Sequence, residues 1–140
     1  MGAEVVRDEA IEVRSERLPV PRIIMFQLLY VALALAFNAV SFTLRLNDMV
    51  PLAPTALGKA TILFAIYLFV LFLGYRRHYA VYRVSMVVFV VLLTIIGIIP
   101  HVQRGFMPGL YFAQASWVGA IAINTFGITM SALGAIRGIR

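Results

Sequence analysis

The sequence predicts an all-α integral membrane protein: an antiparallel four-helix transmembrane bundle with both termini cytoplasmic. Three observations predict it. The 140 residues are 62% hydrophobic and only 13% charged, whereas soluble domains run about 45–50% apolar and about 25% charged. Four long stretches carry no charged side chain at all: Ile23–Leu44, Ala60–Tyr75, Val84–Ile99 and Leu110–Ile136. The basic residues that separate them fall unevenly on the two sides such a fold defines. Disorder is excluded by the same composition, because disordered chains are charge-rich and poor in aromatics. With no cysteine, disulfides, thiolate metal sites and cysteine nucleophiles are excluded as well.

The first stretch, predicted as a helix over 23–44, meets the roughly 20 residues needed to cross a hydrocarbon core of about 30 Å. Ala34-Leu35-Ala36 has the look of a signal-peptidase site. The leader, however, carries Glu4, Asp8, Glu9, Glu12 and Glu16, and hydrophobicity runs past the triplet to Leu44. A cleaved signal has a basic leader and a short apolar run, so a retained span is expected. The second helix is expected over 56–75, with Thr55 as N-cap after Pro54 and Lys59 snorkelling toward the headgroups. The third is expected over 79–99, with Arg83 snorkelling likewise and Pro100 as a breaker. The fourth is expected over 110–136. Runs such as Val87–Leu93 lack the alternation of a membrane strand, and in lipid a single apolar segment satisfies its backbone as a helix.

Lysine and arginine set orientation. Arg7, Arg14, Arg17, Arg22, Arg76, Arg77, Arg83, Arg137 and Arg140 fall on the side of the termini, against Arg45, Lys59 and Arg104 on the other. Both ends are therefore expected in the cytoplasm, with the second and third helices forming a tight hairpin there. Tyr75, Tyr79 and Tyr82 are expected as an inner aromatic belt, with Phe106, Tyr111 and Phe112 as the outer one. Eleven of the twelve basic residues are arginine, which points to a GC-rich bacterial genome and an inner-membrane location. The domain division is a cytoplasmic arm over 1–21, read as a mobile or docking segment, and a transmembrane domain over 22–140. Pro51, Pro54, Pro100 and Pro108 punctuate two short outer loops.

Helix association in lipid depends on close contact between small residues. Ala115, Gly119, Gly127, Ser131 and Ala135 form such a stripe on the fourth helix, flanked by Ser116, Ala120 and Gly134. It is expected to pack within the chain, with Ala32, Ala36 and Ala39 of the first helix as its partner. Asn38 and Asn124 are expected to bridge helices by hydrogen bonds, because an unpaired amide in hydrocarbon is costly. By helical rise they lie about 8 Å apart in depth.

No Asp, Glu, Lys or Arg stands near the middle of a span, which argues against proton- or sodium-coupled transport. No catalytic motif or phosphate loop is present, so no enzyme activity is expected and no cofactor is assigned. The flanking charges form no long basic tract of the kind nucleic acid demands. The leading expectation is an accessory, assembly or anchor subunit of a larger inner-membrane complex, with other membrane subunits or further copies as partners. The alternative is a protein that binds lipid or quinone and assists movement of an amphiphile. Its candidate headgroup residues are Arg22, Arg76, Arg77, His78, Tyr82, Arg83 and Arg137, with Ser85 as a further quinone donor and Asn38 and Asn124 along a polar path. A haem-bearing anchor ranks third. His78 and His101 are separated by roughly 34 Å of helix and cannot share an iron within one chain, which leaves His78 with Met25, Met86 or Met130.

Overall fold

The computed structural model describes residues 21–107 and 109–138. The arm expected over 1–21 lies outside the described residues except for Pro21, as do Pro108 and Arg140. Four helices are each long and apolar enough to cross a membrane: Arg22–Leu46, Leu57–Tyr75, Tyr79–Arg104 and Gln114–Arg137. The first two are α1 and α2. The third is one rod of three pieces: α3 (Tyr79–Leu92), a π-helical segment (Leu93–Ile98) and α4 (Ile99–Arg104). The last is α5 (Gln114–Arg137). Aliphatic side chains such as Leu29, Ile62, Val84, Val88 and Ile95 stand exposed around the outside. Such a surface is foreign to water and suits lipid. The chain is a multi-pass membrane helix bundle.

Helix boundaries depart from expectation at four places. α1 runs on through Arg45, whose charge sits in the last turn where it complements the helix dipole. Thr55 does not cap α2: Ala56 takes the N-cap position with no side-chain bond, and the Thr55 N–H turns back to the Ala53 carbonyl at 2.8 Å. Pro100 does not end the third span. The register shifts first, with the Ile99 N–H bonding the Thr94 carbonyl five residues back, and Pro100 then occupies the first turn of α4. There its missing N–H and fixed φ are tolerated. Finally, 110–113 precede α5 as loop. The Phe112 N–H reaches across to the Pro51 carbonyl at 2.8 Å, and the Ser116 hydroxyl folds back to the Ala113 backbone.

The α2–α3 turn is as tight as expected. Arg77 adopts φ 68°, the His78 N–H bonds the Leu73 carbonyl, and the Arg77 N–H bonds that of Gly74. This is the paired pattern of a helix ending in a left-handed residue. Asp48 at φ 55° does the same for α1, with Met49 bonding Leu44 and Asp48 bonding Arg45.

Between the helices aromatics and polar groups lie among aliphatics such as Val31, Val70 and Leu71. Tyr30, Tyr67, Tyr82, Met86, Leu93, Gln27 and Ser131 are fully buried. Tyr30 meets Phe64 and Tyr67 edge-on, with centroids 5.8 and 5.6 Å apart, and Tyr67 meets Phe89 at 4.6 Å. Pairs of this geometry add about 0.5–1.5 kcal/mol each, and they count here because apolar burial drives no association in lipid.

α5 supplies the holes for these knobs. Gly127 lies directly under the Tyr30 ring, Gly134 under the Tyr82 hydroxyl and the Gln27 amide, and Gly119 beside Phe37. The stripe is therefore spent inside the chain at Gly127 and Ser131, whereas Ala115 is exposed and Ala135 half-buried. Its expected partners Ala32, Ala36 and Ala39 are all exposed. The buried side of α1 is Ile24, Gln27, Tyr30, Val31, Ala34 and Ser41. Small residues seat large ones; they do not pair with other small ones.

Candidate functional site

Two polar clusters cross the bundle near its terminal end, the end of α1 and α5 that bears Arg22 and Arg137. The Gln27 amide donates to the Met130 carbonyl (3.1 Å) and to the Met86 sulfur (3.3 Å), and its oxygen accepts the Tyr82 hydroxyl (2.8 Å). Tyr67 and Ser131 pair at 2.9 Å. Gln27 is the interhelical amide that sequence reasoning attributed to Asn38 and Asn124. It was legible as a glutamine inside a span, one turn before Tyr30 and Val31 on the same face.

The candidate headgroup residues at this end do not converge. Tyr82 is buried in the Gln27 network and is neither a belt residue nor a free donor. Arg83 donates to the Ala135 and Ile136 carbonyls at 2.8 and 3.3 Å, capping the C-terminus of α5. Arg22, Arg76, Arg77, His78 and Arg137 are exposed, with the Arg76 guanidinium 5.9 Å over the Phe72 ring. Of the haem candidates, Met86 is engaged by Gln27, and Met25 is 56% exposed. Among the described residues no group of three or more His, Asp or Glu side chains is placed to hold a metal ion.

The large cavity lies toward the opposite end. Its volume is about 550 Å³, within the ~300–1,000 Å³ range of small-molecule sites. It exists because α2 leaves its neighbour: α2 packs on α1 and α3, but the π segment and α4 pack on α5. The helices diverge beyond Leu92, and the gap between them is the cavity. Phe64, Leu93 and Ala120 form its inner wall. Ile62, Ile66 and Ile96 line it while remaining exposed on the flank, so it opens sideways toward lipid. Asn38, Lys59, His101, Arg104 and Asn124 contribute its polar groups.

These groups are held differently. The Asn38 and Asn124 amides each donate to their own helix, to the Ala34 and Ala120 carbonyls at 2.8 Å. The expected bridge between helices is absent from these bonds. An asparagine in a helix reaches its own carbonyl four residues back without any tertiary rearrangement. Each amide keeps a second N–H. The Asn124 side-chain oxygen rests against Gly97, where a Cβ would collide with it. The Gly119–Phe37 and Gly127–Tyr30 contacts set Asn124 beside residues 32 and 33 of α1, about 8 Å along the axis from Asn38.

His101 is buried, not free at the end of a span. Its Nδ1 pairs with the Tyr111 hydroxyl at 2.8 Å, and its carbonyl accepts the Trp117 indole N–H at 2.7 Å. Partial burial pushes the Tyr111 phenol above its ordinary value, while Arg104 pulls the other way. A protonated phenol can donate to Nδ1, which leaves the ring hydrogen on Nε2. Ser41 ties down the loop beside the cavity: its hydroxyl donates to the Ala53 carbonyl at 3.0 Å and accepts the Ala53 N–H at 2.9 Å.

No family model, curated protein or solved structure matches this chain. The functional reading therefore rests on the geometry.

In the sequence Lys59 and Arg104 read as the minority charges of the topology count, Lys59 also as a snorkelling side chain, and the cavity has no contiguous signature there. Its one sequence-level trace is the set of polar residues, Asn38, Asn124 and His101, that share no contiguous motif. Only the divergence of α2 from the rod brings them to one space.

Proposed function

We propose that this chain is a non-enzymatic amphiphile-binding protein of the inner membrane, an antiparallel four-helix bundle with cytoplasmic termini. It takes one amphiphilic molecule sideways from the outer leaflet into the cavity between α2, the rod and α5. The observation that carries this reading is the lateral opening itself: an apolar space of about 550 Å³, flanked by exposed isoleucines and ringed at one end by cationic and amide groups. An amphiphile has that same division into oily body and polar head. The orientation is supported by the nine-to-three distribution of basic residues. The antiparallel arrangement is supported by the contacts of Gly119, Gly127 and Gly134 with Phe37, Tyr30 and Gln27 in turn. The small-residue stripe is one of several features behind the accessory-subunit reading. That stripe's glycines seat Tyr30 and Tyr82 within the chain, so the geometry favours the cavity.

Native mass spectrometry of the protein released from bilayer nanodiscs tests this. Wild type is expected to retain one lipid-sized adduct through activation that strips bulk lipid. Ile96→Trp, which places an indole at the lateral opening from an exposed position, is expected to lose it. Equal retention by the two, in protein with the same melting temperature, contradicts the proposal.

A further inference from the structure

The chemistry of the cavity's polar end narrows the occupant. Lys59 comes from α2 and Arg104 from α4, so tertiary structure rather than a basic sequence run brings them to one cavity. Among the described residues no carboxylate lines that space, and Asp48, the one acid in the sequence beyond residue 16, is not among its walls. Both side chains are exposed while lining the cavity, and two cations with no carboxylate among the described lining residues favour an anion. A neutral quinone ring would leave both without a counter-charge. Below them the second N–H of Asn38 and the Nε2 of His101 are available to an acceptor. Asn38 is half-buried, and an amide hydrogen facing hydrocarbon without an acceptor is costly; a lipid ester carbonyl supplies one. Deeper still the walls are hydrocarbon, apart from Asn124, which donates to the Ala120 carbonyl and rests its side-chain oxygen against Gly97.

We propose that the occupant is an anionic glycerophospholipid, its phosphate held by Lys59 and Arg104 and an ester carbonyl held by Asn38. An acyl chain lies along Phe64, Leu93 and Ile123. This rests on the amphiphile reading above and specifies its substrate class. The headgroup site is at the end opposite the arginine-rich hairpin, and the exposed arginines there make no part of it.

The test is native mass spectrometry of the full chain in detergent with equimolar dioleoyl phosphatidylglycerol, dioleoyl phosphatidylcholine and decylubiquinone. Wild type is expected to prefer phosphatidylglycerol about thirtyfold, the scale set by two cations near a headgroup. Lys59→Gln/Arg104→Gln should bring that preference below about twofold while one phospholipid still binds. Arg22→Gln/Arg76→Gln, at the other end, should leave it unchanged. The inference is overturned if the outer pair of substitutions keeps the preference, if the inner pair removes it, or if the zwitterionic lipid or the quinone binds best. Ile96→Trp separates the two levels. If it blocks binding while the lipid preference fails, only the headgroup assignment falls; if it leaves binding intact, the cavity reading falls.

Discussion

Gln27 satisfies groups on both α3 and α5 from a single position, and its removal has a defined consequence. Gln27→Leu strands the buried Tyr82 hydroxyl, which costs about 1–3 kcal/mol. Gln27→Leu with Tyr82→Phe removes both partners and is expected to recover most of that loss. A double-mutant cycle by thermal unfolding in detergent measures the coupling; additive effects would show that the 2.8 Å bond contributes nothing. Arg77 carries the opposite expectation. A side chain at φ 68° is held against an intrinsic preference of about 1–2 kcal/mol, which glycine does not feel. Arg77→Gly is therefore expected to raise stability by about 1 kcal/mol in the same assay, and a loss would mean that the side chain makes a stabilising contact outweighing the strain. Sequence reasoning found the turn but not this constraint. A basic tripeptide reads as charge, and only backbone geometry reveals which of its residues is left-handed.

At the level of elements, what was legible followed from periodicity and composition. The four spans emerged because uncharged runs of that length have few other fates, and the hairpin emerged because only a few residues separate the second and third. What escaped was where one element gives way to another. Pro100 reads as a stop in a one-dimensional pattern, yet a π segment ahead of it lets the rod continue to Arg104. Gly127 and Ser131 of the small-residue stripe face the interior, whereas Ala32, Ala36 and Ala39, the partners the sequence suggests, are exposed. Glycine spacing announces a hole but not the knob that fills it, and on α1 the knobs are Tyr30 and Gln27, not alanines. Gly127→Ala tests this. A Cβ there collides with the Tyr30 ring, so overpacking is expected to cost about 1–3 kcal/mol. Tyr30→Leu in the same chain should relieve part of it. Unchanged stability in Gly127→Ala would show that α1 and α5 are not in the close contact described.

For the molecule as a whole, the absence of cysteine makes topology directly measurable. Met107→Cys, at an exposed position between α4 and α5, should react with an impermeant maleimide in intact cells, whereas His78→Cys should react only after permeabilisation. The reverse pattern would put the cavity in the opposite leaflet. The cavity was the least legible feature because it has no sequence of its own: it is the space left when α2 parts from the rod. Photo-crosslinking tests it most directly, using phosphatidylglycerol with a diazirine in its acyl chain and mapping the labelled peptides. The account predicts labels on Leu63, Leu92 and Ile123, which line the cavity and are half-buried, and predicts their loss in Ile96→Trp. Labels confined to outward-facing residues such as Phe26, Leu29 and Val88 would contradict it.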